Sequence, residues 1–189
     1  MAEPPAPQVP QDGLGDGWER TSDETETLFE LPAAVVRGRT VIYEDRSLER
    51  AIRNAHGVEN LSRFVFATRL SFSPSLAAGA HTVIRPTVVS EARSEFEAVL
   101  ENRGFLTVQR QRRQRMRTES GARATLFGYH AAFPVEDGTL PIEGWLAVWY
   151  DDGFVLAGGA YPRHFGDLDV TVDPTGFRDH LLELLRTIE

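Results

Sequence analysis

Apolar positions along this chain recur with two periods. Three stretches repeat every three to four residues. "SLERAIRNAHG" puts Leu48, Ala51, Ile52 and Ala55 on one helical face, with Ser47 placed as N-cap and Gly57 just past the end. "PTVVSEARSEFEAVLENRG" sets Val88, Val89, Ala92, Phe96, Val99 and Leu100 in a longer stripe, and Gly104 stops it. "DPTGFRDHLLELLRTIE" offers Asp173 as cap and Pro174 at the first helical position. Its stripe is Phe177, Leu181, Leu184, Leu185 and Ile188.

The intervening segments alternate with a period of two and read as strands. "LFEL" and "TVIYE" lie early, around a turn expected at Gly38. "RFVFATRLSF" puts Phe64, Phe66, Thr68, Leu70 and Phe72 on one face. Four strand-like runs follow the long helix: "FLTVQRQRRQRMRT", "ARATLFGYHAAF", "IEGWLAVWY" and "FVLAGGAYP". They are parted by turn signals at Ser120-Gly121, Asp137-Gly138 and Asp152-Gly153, the last read as a two-residue hairpin turn. Short connections make these four an antiparallel meander. "IEGWLAVWY" is apolar on both faces, as expected of an interior strand covered on both sides.

The expected fold is α+β: an antiparallel β-sheet of about six to seven strands with helices packed on its faces, over residues 17–189 as a single domain. Residues 1–16, rich in Pro, Gly and Gln, are expected to form a disordered tail. The element order, the small-residue turn before a strand in "SGARATLFGY" and the closing helix after a long apolar hairpin resemble the PsbP-like fold. That fold is shared by photosystem extrinsic subunits and Ran-binding Mog proteins. The resemblance runs from Trp18 to the C-terminus, and the chain also looks like proteins of haloarchaea. It implies a binding or accessory role rather than catalysis, and it transfers no functional residue.

Composition narrows the chemistry. Cysteine is absent, which excludes disulfides, thiolate metal sites and cysteine nucleophiles. All 20 basic residues are arginine, so no Schiff-base or P-loop lysine exists. The 28 acids give a formal net charge of −8. An acidic, lysine-free chain of this kind resembles proteins of extreme halophiles, where carboxylates keep a surface soluble although screening shortens to about 3 Å at 1 M salt; the codon bias of a high-GC genome is the alternative source of such a composition. The N-terminus has no apolar h-region and no apolar run is long enough to cross a membrane, so the expected location is cytoplasmic.

Charge is unevenly spread. Residues 1–30 carry a net −7 and residues 103–123 a net +6. The basic window is centred on "QRQRRQRMR", with Arg110, Arg112, Arg113, Arg115 and Arg117. Read as a regular strand, it places Val108, Arg110, Arg112, Gln114 and Met116 on one face, and Gln109, Gln111, Arg113, Arg115 and Arg117 on the other. Two polar faces suit a strand that projects beyond the core or lies at an edge. Guanidinium forks bind phosphates, but no interleaved aromatic offers a base a stacking surface. The expectation is that these arginines pair with the protein's own carboxylates, the N-terminal acidic segment included.

Other motifs are weaker. His56, His81, His130, His164 and His180 stand singly, without metal-ligand spacing. Asp167, Asp169 and Asp173 lack the pattern of a calcium loop, and the "GLGDG" run lacks the strand and helix of a dinucleotide fingerprint. No metal and no cofactor is expected, and no catalytic signature is present. Three functions remain in order: a non-enzymatic binding or accessory domain holding a protein partner on a sheet face or groove, a polyanion or nucleic-acid binder using the five arginines, and a small-ligand pocket near Trp145, Trp149 and His130.

Overall fold

A computed structural model describes residues 3–189. Its centre is one seven-stranded sheet in which every neighbouring pair is antiparallel. The chain runs α1 (Gln11–Leu14), β1 (Trp18–Leu31), β2 (Ala34–Asp45), α2 (Arg46–His56), β3 (Phe64–Ser73), α3 (Ala80–Asn102), β4 (Leu106–Arg117), β5 (Arg123–Val135), β6 (Gly138–Tyr150), β7 (Phe154–Pro162) and α4 (Phe177–Thr187). The sheet order is β1-β2-β3-β7-β6-β5-β4. The meander from β4 to β7 thus folds back so that β7 joins β3, and β1 and β4 become the two edges.

The inner strands are the most apolar ones, because backbone groups left unpaired at an edge need water or polar company. All nine residues of β7 are buried. Its glycines permit close approach rather than flexibility. A Cβ at Gly158 would lie 2.5 Å from the Trp145 carbonyl oxygen, and one at Gly159 would overlap the carbonyl oxygen of Phe64.

One face of the sheet is covered by α3 and the opposite face by α4. Cross-strand partners share a face, so Gly144, Leu146 and Val148 of β6 lie with Tyr129, Phe127 and Thr125 of β5 on the α3 side. Phe96 of α3 sits edge-on to Tyr129 at 5.1 Å and would touch a Cβ at Gly144 at 3.3 Å. The other side carries Glu143, Trp145 and Trp149, together with Gly159, where Leu181 of α4 packs. The buried stripe of α3 is Val88, Ala92, Phe96 and Leu100, and that of α4 is Phe177, Leu181, Leu184 and Leu185.

Several local expectations are corrected. Gly38 is not the hairpin turn. It lies inside β2, where a Cβ would fall 2.5 Å from Leu28 Cδ1, while the β1–β2 turn comes between Leu31 and Ala34. Asp45, not Ser47, caps α2, accepting from the Leu48 amide at 2.9 Å; Gly57 ends that helix in the left-handed conformation as expected. Helix α3 begins at Ala80 and carries Pro86 inside it. His81 stacks on Tyr150 at 4.1 Å and anchors this extra first turn to the β6–β7 hairpin. That hairpin turns through Asp151, Asp152 and Gly153, one residue more than the two-residue turn expected.

Residues 3–16 are not a disordered tail. Val9 and Leu14 are buried, and Gln8 exchanges two backbone hydrogen bonds with Glu189, at 2.6 and 3.1 Å. The Gly13 carbonyl accepts from His180 Nε2 at 2.6 Å, and His180 Nδ1 accepts from Arg63 Nη1 at 3.2 Å. Arg63 in turn donates to the buried Asp45 at 2.8 Å and lies 4.2 Å from the Phe177 ring centre. Composition could not foresee this ordering, because it depends on contacts with the other end of the chain.

Candidate anion-binding site

Strand β4 is a sheet edge, and its arginines owe their arrangement to a bulge. Arg110 pairs with Tyr129 and Arg113 with Phe127, so Gln111 and Arg112 together oppose the single residue Gly128. One extra residue reverses the alternation beyond it. Arg110, Arg113, Arg115 and Arg117 therefore share the α3 face with Tyr129, Phe127, Thr125 and Arg123, while Gln109, Gln114 and Met116 take the other. A uniform two-residue period splits the arginines differently. The bulge gathers four of five on one side, with Arg112 on the bulge itself.

The partners of these arginines also differ from expectation. Arg110 forms a two-pronged ion pair with Glu97 of α3, its Nη2 donating to Oε2 at 3.1 Å, and the contact raises the guanidinium's affinity for its proton. Arg117 donates to the Gly121 carbonyl at 2.9 Å, not to a carboxylate. Among the described residues, Arg112, Arg113 and Arg115 have no ion-pair partner within 4.0 Å, and all three are exposed. The acidic segment cannot reach them. Most of its acids lie on β1, at the opposite edge of the seven-stranded sheet, six strand spacings or roughly 29 Å away.

Beside the row is an open basin of about 670 Å³, lined by Arg85, Arg115, Arg117 and Arg123 around Met116, Ala124 and Thr125. No carboxylate among the described residues lines it. Arg85 comes from α3 and reaches across to the Arg123 carbonyl at 3.4 Å. Arg123 was legible as part of the basic window. Arg85 was missed, because it precedes Pro86 and fell outside the helix expected there. Arg113, Arg115 and Arg117 repeat every second residue, about 6.8 Å apart along an extended strand. The result is a one-signed, solvent-open row of forked donors suited to several anionic groups in a line.

The other candidates expected from the sequence lie elsewhere. Trp145 and Trp149 point to the α4 side and are core residues, 5% and 1% exposed. Trp145 Nε1 donates to Glu143 Oε1 at 2.8 Å and to the Tyr161 hydroxyl at 3.3 Å. Glu143 also faces Arg163 and Arg178, each at 3.6 Å. Burial pushes the Tyr161 hydroxyl far above the ordinary tyrosine range, and the Glu143 charge adds to this. His130 pairs with Glu143 across the β5–β6 ladder but is exposed. Of the three residues named for a small-ligand pocket, the two indoles are packed into the core and the imidazole faces water. Among the described residues no three His, Asp or Glu side chains converge as metal ligands, and no helix is long and apolar enough to cross a membrane.

No curated protein and no solved structure matches this chain. One protein family does, described as Domain of unknown function (DUF6517), and the match covers residues 6–189. It therefore takes in the N-terminal segment bonded to the last residue, the basic edge strand and the helix that contributes Arg85, and the chain belongs to the DUF6517 family.

Proposed function

We propose that this domain is a non-enzymatic binding module whose ligand is a polyanion, held along β4 and in the basin of Arg85, Arg115, Arg117 and Arg123. The observation that supports this reading is that, among the described residues, Arg113, Arg115 and Arg117 have no carboxylate within 4.0 Å and none lines the basin, in a chain with more acids than bases. Such a surface has net attraction for anions despite the overall charge of −8. With no aromatic in the basin, the ligand is held by its backbone charge and not by base stacking. A nucleic acid and a sulfated polysaccharide present the same chemistry here.

The reading in which a sheet face holds an apolar protein partner has less support. Both faces carry helices, and among the described residues the exposed large apolar side chains, Val83 and Leu106, lie on different elements. The binding role is of the kind that the PsbP-like resemblance implies, but it rests on the arginine row and not on that resemblance.

The test is fluorescence anisotropy with a labelled single-stranded RNA and with heparin across a salt series, on protein shown to be folded at each salt. Affinity is expected to fall steeply with salt. An Arg115→Gln, Arg117→Gln, Arg123→Gln triple variant is expected to lower the salt slope for RNA by about 2, near 0.7 for each phosphate no longer neutralised. No binding at the lowest salt that keeps the protein folded would overturn the proposal, as would a triple variant that binds like the parent.

A further inference from the structure

The α3 face holds a second recess, over the other half of the sheet. Helix α3 lies across β6 and β4, and between it and β1–β3 a slot of about 140 Å³ remains. Its walls include Leu28, Ile42, Phe66, Phe96, Val99 and Leu156. Two glycines shape it. Gly38 lets Leu28 and Thr68 close over β2, where a Cβ would lie 2.5 Å from one and 2.9 Å from the other. Gly158 lets the Phe66 ring lie against β7, where a Cβ would come within 2.8 Å of Cε1. The floor is polar at one point only: the Thr40 and Thr68 hydroxyls bond to each other at 2.8 Å, so they ask little of a ligand. Phe66 and Phe96 face each other tilted by 35° at 5.7 Å.

The rim has one sign of charge. Glu26 of β1 and Glu95 of α3 line the slot, both exposed and without an ion-pair partner among the described residues. No arginine among those residues lines it. Glu24, two residues from Glu26 on the same strand, adds to the negative field. An apolar slot of this size matches one benzene-sized group, since an engineered cavity of about 150 Å³ in another protein takes up benzene. The carboxylates select a positive charge on it, and aromatic walls favour cations as well.

We infer that this slot binds a small apolar cation: a single aromatic ring or branched alkyl group bearing an ammonium, its apolar part in the slot and its charge between Glu26 and Glu95. The site is independent of the polyanion row, which lies at the other edge of the sheet.

The test uses the full chain and three probes of one shape: benzylamine, protonated at neutral pH, neutral toluene and anionic benzoate. Binding is followed by NMR, with the Phe66 and Phe96 ring resonances as site reporters. Benzylammonium is expected to shift both rings and to bind about tenfold more tightly than toluene, the advantage two unpaired carboxylates provide. Benzoate is expected not to shift them. In a Glu26→Gln, Glu95→Gln variant that advantage is expected to vanish while toluene binding stays unchanged. Ala92→Leu, which fills the slot, is expected to abolish the shifts. Should that variant fail to fold, the charge variant alone decides. Equal affinity for benzylammonium and toluene, an advantage that survives in the charge variant, or no movement of the rings with any probe would overturn the inference.

Discussion

Two polar side chains on the sheet's α4 face, Tyr161 and Glu143, show what single residues do here. Trp145 donates to both, so each has a partner, and burial keeps Tyr161 protonated far above the usual range. The sign of the consequence is fixed by linkage. Above about pH 10 an unfolded tyrosine loses its proton while folded Tyr161 keeps it. The unfolded state then binds fewer protons, so stability falls as pH rises through that range. Tyr129, raised mainly by its own burial, contributes in the same direction. Tyr161→Phe is therefore expected to flatten, not remove, the loss of urea resistance between about pH 9 and pH 11. An unchanged slope would show that the hydroxyl ionises in the folded protein.

At the scale of elements, the short α1 and the residues before it form a strap across the C-terminal end of the chain. Leu14 is 3% exposed and Val9 7%, and His180 is fixed between Gly13 and Arg63. Its Nδ1 accepts from a guanidinium, which only donates, and its Nε2 donates to a carbonyl, which only accepts. Leu14→Ala is expected to cost about 2–5 kcal/mol in urea unfolding, the range for truncating a buried leucine. Hydrogen exchange at the Gln8 amide should quicken more than exchange within β7, because the strap opens without the sheet. A cost below about 0.5 kcal/mol would show that the strap adds nothing to the fold. The bulge opposite Gly128 is the other decisive element, since it turns two mixed faces into one arginine face.

At the scale of the molecule, charge is segregated by sheet order. Strand β1 carries Glu19, Asp23, Glu24, Glu26 and Glu30, β4 carries five arginines and no acid, and the two form opposite edges. A separation of roughly 29 Å exceeds the screening length of about 8 Å at physiological salt but is comparable to the 30 Å reached at 0.01 M. Neutralising β1 through Glu19→Gln, Glu24→Gln and Glu30→Gln is therefore expected to leave polyanion affinity within about twofold at 0.15 M salt and to raise it at 0.01 M. A large change at 0.15 M would mean that the acidic segment acts on the arginines directly.

Much of the fold was legible because it is written in local periods. The helices α2, α3 and α4, the meander of β4–β7 and the doubly apolar β6 all follow from spacing within a few residues and are present, although of the stripe expected on α2 only Leu48 and Ile52 are buried and Ala55 is exposed. The edge position of β4 was legible too, from polarity on both its faces. What was not legible depends on distant partners. The strap is held by Glu189 and His180 at the other end of the chain, and the early first turns of α3 are packed through His81 on Tyr150. The candidate site divides the same way. The sequence by itself supplied the arginines and their crowding, which are matters of composition. Only the tertiary structure decided that a bulge aligns them, that Arg85 joins them from α3, and that the acids able to neutralise them lie across the sheet. Pairing of charges depends on distance in space, and strand order sets that distance.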